Sequence, residues 1–483
     1  MEETQSLDAA INAFISPVSD FITSIIFYSI EISDIQFPLI VLWLIAAGLF
    51  FFIYLKAINI SRFRLAIDIV RGKYDQVASK GEVNHFQALA TAVSGTVGLG
   101  NIAGVAVAIS MGGPGATFWM IVAGFFGMMT KFAECTLGVK YREINNGIVS
   151  GGPMYYLRDG LKAKGLPIAG KILAVLFALT CIVGSMGGGN MLQSNQAAVQ
   201  MVAVTGGSES FFAPHLWVAG VVLSLLVAAV IIGGIRSIAR VTEKIVPFMC
   251  GLYIITCLYI IFSSYTKIPS SLMLIVDGVW KPDAIYGGVL GVLIMGFRRA
   301  SFSNEAGVGS APIAHAAVKT NEPVTEGLVS LLEPFIDTIV ICTMTALVIV
   351  ITGAYKIEGS NGIQLTDHAF TNTVSWFHYI LSVTVFLFAF STMISWSYYG
   401  LKAWEYVCGA GKWSKLIYKL IFCFFIVVGS SMSLTKVIDF SDAMIFAMSI
   451  FNIIGLYLLA GELKQDMNQF LHKIDTGIIK KHT

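Results

Sequence analysis

Gly95-Thr96-Val97-Gly98-Leu99-Gly100-Asn101 is the stretch on which the reading of this chain turns. Apolar runs flank it, at 88–93 and 102–109. Neither run can cross a bilayer alone, but the joined stretch 86–112 can, since a spanning helix takes about 20 residues. Three glycines and an asparagine weaken a helix at its middle, because glycine carries the largest backbone entropy cost. Non-helical backbone at membrane depth survives only when buried in protein or lining a wet cavity. The stretch therefore reads in two ways: a break that builds a polar site near the midplane, or small residues that let helices pack closely.

The surrounding chain is that of a polytopic membrane protein. Of 483 residues 56% are hydrophobic and 12% charged, with a mean hydropathy of +0.77. A soluble protein carries about 25% charge. The net charge of +2 carries no information about partners. No nucleic acid and no obligatory protein partner is expected; the lipid bilayer is the medium. The seven cysteines form no CxxC pair, so neither a metal cluster nor a disulfide framework is indicated. Residues 1–36 lack Lys and Arg, which leaves no basic start for a cleavable signal peptide. Their acidic residues alternate with Leu7, Ile11, Phe14 and Ile15, as in an amphipathic helix lying on the membrane.

About eleven spans are expected: 37–55, 86–112, 113–139, 168–204, 215–234, 243–263, 284–318, 327–353, 374–407, 415–434 and 440–462. Spans 168–204 and 284–318 are too long for one plain helix, so each must tilt, kink or break. Threading the chain this way puts most Lys and Arg on one face, from Lys56 in the loop 56–85 to Lys481 in the tail. The other face holds Lys267, Lys281, Lys356 and Lys436. The positive-inside rule then sets the N-terminus outside and the C-terminus in the cytoplasm.

A second interruption lies in 284–318, where Phe302-Ser303-Asn304-Glu305-Ala306-Gly307-Val308-Gly309-Ser310 stands between apolar flanks. Apart from 37–55, ten spans divide into five (86–263) and five (284–462), and a broken one opens each half. An odd number of spans inverts one half against the other. The expected organisation is an acidic segment (1–36), an extra span with a basic loop (37–85), two inverted five-helix repeats, and a tail (463–483). Matching breaks in inverted repeats point to a transporter site at the repeat interface. Each break frees amides that suit a carboxylate and carbonyls that suit Na⁺.

These motifs are identified as those of the sodium:alanine (alanine or glycine:cation) symporter family. They run from Gly98-Leu-Gly-Asn-Ile-Ala-Gly104 and Gly112-Gly-Pro-Gly-Ala-Thr-Phe-Trp-Met120 through Gly151-Gly-Pro-Met-Tyr-Tyr156 and Gly189-Asn-Met-Leu-Gln-Ser-Asn195. Phe302 to His315 and Phe390-Ser-Thr-Met-Ile-Ser-Trp-Ser-Tyr-Tyr-Gly400 complete the set. Ile121 stands where that family usually has another Trp. The resemblance covers nearly the whole chain. It implies an all-α, leucine-transporter-like fold with two discontinuous helices and Na⁺-coupled uptake of alanine, glycine or similar amino acids across the bacterial inner membrane.

Candidate roles follow residue by residue. Thr96, Gly98, Gly100 and Asn101 would meet the substrate carboxylate, although Asn101 could equally cap the second half-helix. Gln193, and less so Asn195, is either a substrate contact or an interhelical bond. Ser391 with Ser395, and Thr392 with Trp396, form i, i+4 pairs on 374–407, which the resemblance sets beside the first break. Ser391 and Ser395 are assigned to Na⁺; Thr392 and Trp396, the latter as a lid that limits side-chain size, are assigned to substrate. Back-bonding to their own helix is the alternative for the hydroxyls. Phe302, Ser303 and Asn304 would take the substrate's apolar side and amine. Glu305 is expected to pair with Arg298 or Arg299, and Lys131 with Glu134. Glu333 and Asp337 read as structural with a possible gating role, and His315 as a group able to titrate.

Other classes fit less well. An intramembrane enzyme would need paired Asp, a Ser/His/Lys set or HExxH in the spans, and a channel a repeated filter. No P-loop is present for ATP drive. The alternative on the same fold is a Na⁺-independent exchanger or a proton-coupled carrier.

Overall fold

In the computed structural model the opening stretch forms two helices, His85–Thr96 and Gly100–Gly112, bent by 52° at 97–99. The structure describes residues 17, 20–32, 35–75, 79–280, 288–357, 359–360 and 362–482. The first half-helix starts at a capping box: Gln87 N donates to Asn84 Oδ1 at 2.8 Å and Asn84 N to Gln87 Oε1 at 3.2 Å. It stops at Val97, whose ψ of 84° is extended. A π-helical turn, Gly100–Gly104, restarts the chain. Such turns recur at functional sites.

The second interruption separates Gly288–Asn304 from the short helix Ala311–His315. The break is narrower than the sequence suggested: Arg298 to Asn304 are still helical and only 305–310 is irregular. Glu305 (φ 55°), Gly307 (φ 89°) and Gly309 (φ 88°) all lie in the left-handed region. Glycine adopts that conformation freely; for Glu305 it costs about 1–2 kcal/mol. A Cβ on Gly309 would also lie 2.8 Å from Pro153 Cγ and 2.9 Å from Phe177 Cε2, so nothing larger fits there.

Among the described residues seven helices are long and apolar enough to cross a membrane: Ala116–Lys140, Pro167–Val204, Gly234–Ser263, Pro323–Thr352, Phe377–Cys408, Lys412–Ser431 and Leu434–Asp475. The bent pair makes eight. The other expected spans fall on shorter elements, namely Leu39–Tyr54, Leu216–Ile231 and the broken helix from Gly288. Sixteen residues extend about 24 Å, less than a hydrocarbon core of about 30 Å. Further π-helical turns lie at Tyr156–Gly160, at Gly187–Met191, where the turn interrupts Pro167–Val204, and at Phe335–Cys342. Apolar side chains on the outside, among them Leu225, Ile255 and Phe424, are exposed where lipid would meet them.

The N-terminal segment departs from expectation. Residues 1–16 lie outside the described set and 20–26 are helical, but Ser29–Ile32 pairs antiparallel with Ile35–Pro38. Ile30 and Ile32, like Ile35 and Phe37, alternate with polar residues, a period of two that suits a strand. At the other end Leu434–Asp475 runs 42 residues without interruption, through the stretch expected to leave the membrane at 463. The chain beyond it turns back. Lys481 Nζ lies 2.6 Å from Asp68 Oδ2, and His482 N donates to Lys73 O at 2.7 Å.

Candidate substrate and ion site

Gln193 and Asn101 satisfy the amides freed at the first break. Leu99 N donates to Gln193 Oε1 at 3.0 Å, and Gly98 N to Asn101 Oδ1 at 2.9 Å. Gln193 is oriented in turn by its Nε2, which donates to Gly188 O at 2.8 Å inside the π-helical turn. A Cβ on Gly98 would lie 2.5 Å from Thr392 Oγ1 and 3.0 Å from Gln193 Oε1. The broken backbone is thus wedged between Pro167–Val204 and Phe377–Cys408, and the absence of a side chain permits it. Gly100 faces Phe302 (3.5 Å from its Cβ position), and so does Gly188 (3.2 Å). Gly98, Gly100, Asn101, Gln193, Phe302 and Thr392 therefore share one buried neighbourhood.

Phe377–Cys408 is laced to the first half-helix below the break. Ser94 Oγ donates to Ser391 O at 2.7 Å, Thr392 Oγ1 to Ser94 O at 3.1 Å and Ser395 Oγ to Thr91 O at 3.0 Å. The Ser391 hydroxyl itself bonds back to Phe388 O at 3.1 Å. Thr96 does likewise, to Val93 O at 3.3 Å. Trp396 packs over Gly189, where a Cβ would come within 2.1 Å of the indole, and donates Nε1 to Glu305 Oε1 at 2.9 Å. Asn195 bonds Gly429 O and Met432 O, an interhelical tie.

The polar centre that sequence reasoning underrated is Asp337, on the π-helical turn Phe335–Cys342. Its carboxylate accepts from Asn101 Nδ2 (2.5 Å), Ser303 Oγ (2.9 Å) and Thr338 Oγ1 (2.7 Å). Asn304 Nδ2 donates to Thr338 Oγ1 at 2.9 Å. Asp337 is fully buried and forms no ion pair with Lys, Arg or His among the described residues. The two breaks thus converge on one buried carboxylate that accepts from an amide N–H and two hydroxyls. An Asp inside an apolar span was the available signal; only the fold shows that Asn101 and Ser303 face it.

Two expected ion pairs are replaced. Arg298 and Arg299 both bind Asp442, Arg298 Nε at 2.8 Å, instead of Glu305. Glu305 follows them by about 9–10 Å of helix rise, out of reach, whereas Asp442 on Leu434–Asp475 lies level with them. Glu305 accepts instead from Ser310 and Trp396. Lys131 is fully buried rather than reaching the surface, and its Nζ lies 3.3 Å from Glu333 Oε2. Glu134 accepts from Asn452 Nδ2 at 2.6 Å. His315 lies near Cys135 and Glu333, a spacing that could hold a metal ion. Both of its ring nitrogens already face carboxylates, at 2.5 Å each, which leaves neither free for a metal.

A membrane-embedded helical bundle in which two broken helices meet at buried polar groups is a secondary transporter, not an enzyme. The chain belongs to the sodium:alanine symporter family, whose description matches residues 21–483. It is 41% identical over 438 residues to the sodium/alanine symporter AgcS of Methanococcus maripaludis, covering 90% of this chain and 94% of that one. It is 35% identical over 428 residues to a Bacillus subtilis protein named "Probable sodium/glutamine symporter GlnT", covering 87% and 85% of the two chains. Its fold is that of MhsT, solved in complex with L-phenylalanine, at a TM-score of 0.58 and 14% identity over 79% of this chain and 89% of that one.

Proposed function

We propose that this protein imports alanine, with glycine and other small neutral amino acids as further substrates, together with Na⁺, by alternating access between two inverted five-helix repeats (86–263 and 284–462). The single observation that carries this reading is the junction of the first break with Asp337. Two backbone amides, Gly98 N and Leu99 N, are held by side-chain oxygens of Asn101 and Gln193. A substrate carboxylate would take over the acceptor role of Gln193 Oε1, near the partial positive end of Gly100–Gly112. The Asp337 carboxylate and the hydroxyl oxygens of Ser303 and Thr338 form a hard-oxygen group with net negative charge, the donor chemistry that suits Na⁺.

Ser391 and Ser395 would complete a second Na⁺ position with carbonyls of the first half-helix. Thr392 and Phe302 would meet the substrate's body, Thr96, Gly98 and Gly100 its carboxylate, and Ser303 and Asn304 its amine side. Trp396 would cap the pocket and limit side-chain size, held in place by its indole N–H on Glu305 at the second break. The Arg298–Asp442 and Arg299–Asp442 pairs would close the outer side, with the N-terminus outside and the tail in the cytoplasm. Each Na⁺ entering down about 100 mV supplies roughly 2.3 kcal/mol.

The test is uptake of labelled alanine into proteoliposomes, with inward Na⁺ exchanged for K⁺ at fixed pH and potential. Accumulation should be lost in K⁺. Equal uptake in both would overturn Na⁺ coupling and leave a Na⁺-independent exchanger or a proton-coupled carrier.

A further inference from the structure

Beneath the site, five titratable side chains stand in single file. His85 Nδ1 bonds Glu326 Oε2, and Glu326 Oε1 lies 2.5 Å from His315 Nδ1. His315 Nε2 lies 2.5 Å from Glu333 Oε1, and Glu333 Oε2 lies 3.3 Å from Lys131 Nζ. Glu326, His315, Glu333 and Lys131 have no solvent exposure. The file approaches water at the His85 end, where Nε2 is 3.9 Å from Asp75, whose side chain is 54% exposed.

Hydrogen-bond chemistry fixes its proton content. A carboxylate only accepts, and a neutral imidazole carries one N–H. His315 has a carboxyl oxygen on each ring nitrogen at hydrogen-bond distance, so both contacts cannot form between a neutral histidine and two carboxylates. Either His315 is an imidazolium or one glutamate is a carboxylic acid. In both cases the file stores one proton beyond that neutral set. The charged and titratable neighbours do not remove the need. Lys131 serves Glu333, the carboxyl groups of Glu134 and Glu305 supply no positive charge, and Cys135 is a thiol. Arg142 is committed to the carbonyls of Lys80, Ala316, Val318 and Thr320. Glu134 Oε2 is buried without a hydrogen-bond partner, and Glu333 Oε2 has the Lys131 ammonium beside it at 3.3 Å.

The same elements close the inner side. Glu82 N donates to Ala317 O at 2.8 Å, and Lys319 N to Val83 O at 2.8 Å, which ties the chain before His85–Thr96 to the chain after Ala311–His315. A swing of His85–Thr96 away from Pro323–Ser330 would part His85 from Glu326. That separation would admit water to a file whose charge balance depends on its proton.

We propose that the His85–Glu326–His315–Glu333 file is a proton-binding site. It is separate from the substrate and Na⁺ positions, its one exchangeable proton holds the inner closure, and it exchanges with the cytoplasm through His85 and Asp75. The proposal rests on the carrier reading and on the orientation given by the basic loops.

Two measurements test it. The first is Na⁺-driven alanine uptake in oriented vesicles, with inner and outer pH set independently between about 6 and 9. Uptake should fall as the inner side is acidified, by about tenfold per unit where the site is mostly protonated, and should ignore outer pH. His315→Gln, or Glu326→Gln if the first variant does not fold, should flatten the inner-pH profile. An unchanged profile in the folded variant, or dependence on outer pH, overturns the proposal. The second is thiol labelling of Val83→Cys on a Cys408→Ser background, from the inner side and without substrate. Labelling should rise with inner pH; labelling indifferent to pH overturns the proposal. Absence of Na⁺-driven uptake at every pH would instead count against the carrier reading, and the labelling would still decide on the proton site.

Discussion

Asp337→Asn should separate sodium affinity from folding. Asn101, Ser303, Thr338 and Asn304 are neutral, so the substitution removes the whole formal charge of the group. A unit charge pair about 4 Å apart is worth roughly 4 kcal/mol at an effective dielectric constant of about 20. At about 1.4 kcal/mol per decade, that corresponds to two to three powers of ten in half-saturating Na⁺. Asparagine keeps the volume and one acceptor for Asn101, so the fold should survive with a changed polar network. The assay is alanine uptake against Na⁺ concentration in proteoliposomes, alongside size-exclusion profiles and thermal unfolding in detergent. A variant that folds normally and shows the wild-type Na⁺ curve would refute the assignment of Asp337 as a cation ligand.

Three other perturbations test other contacts. Gly98→Ala places a methyl group 2.5 Å from Thr392 Oγ1 and should abolish uptake at normal expression, since overpacking of this kind costs about 1–3 kcal/mol. Arg299→Ala leaves buried Asp442 with one arginine fewer and should lower the unfolding temperature measurably, since breaking a buried pair costs about 3–5 kcal/mol; an unchanged melt would show that Arg298 alone suffices. Hydrogen bonds from Lys481 and Lys73 hold the Asp68 carboxyl below the usual carboxylate range. A lowered folded-state value gives stability that is full above the ordinary carboxylate pKa and is lost as pH falls on through the lowered value, so the docked tail should stay protease-resistant at neutral pH. Proteolysis of 476–482 should increase on strong acidification or in high salt.

Much of the site could be read from the chain because its residues are unusual in a membrane. The glycines at 98 and 100, the amide of Gln193 and the hydroxyls of 391–395 are costly in a span unless something uses them. Their common neighbourhood then follows once the two breaks are recognised. Partners next in sequence mislead: Lys131 and Glu134, and Glu305 and the arginines preceding it, are near neighbours along the chain, yet Lys131 pairs with Glu333 and the arginines with Asp442 across the bundle. The indole N–H of Trp396 on Glu305 is a tertiary contact that no local pattern announces.

The class of protein, the location of the two interruptions and the family are legible in the chain alone. Hydropathy, glycine and polar insertion are properties of single segments, and a bilayer tolerates few ways of arranging them. Packing in three dimensions makes Asp337 the carboxylate on which both breaks converge, gives Asp442 both arginines, and sets His85, Glu326, His315 and Glu333 in one file. Buried charges choose the partner that packing brings within about 3 Å, and that choice crosses hundreds of residues, beyond the reach of any local pattern.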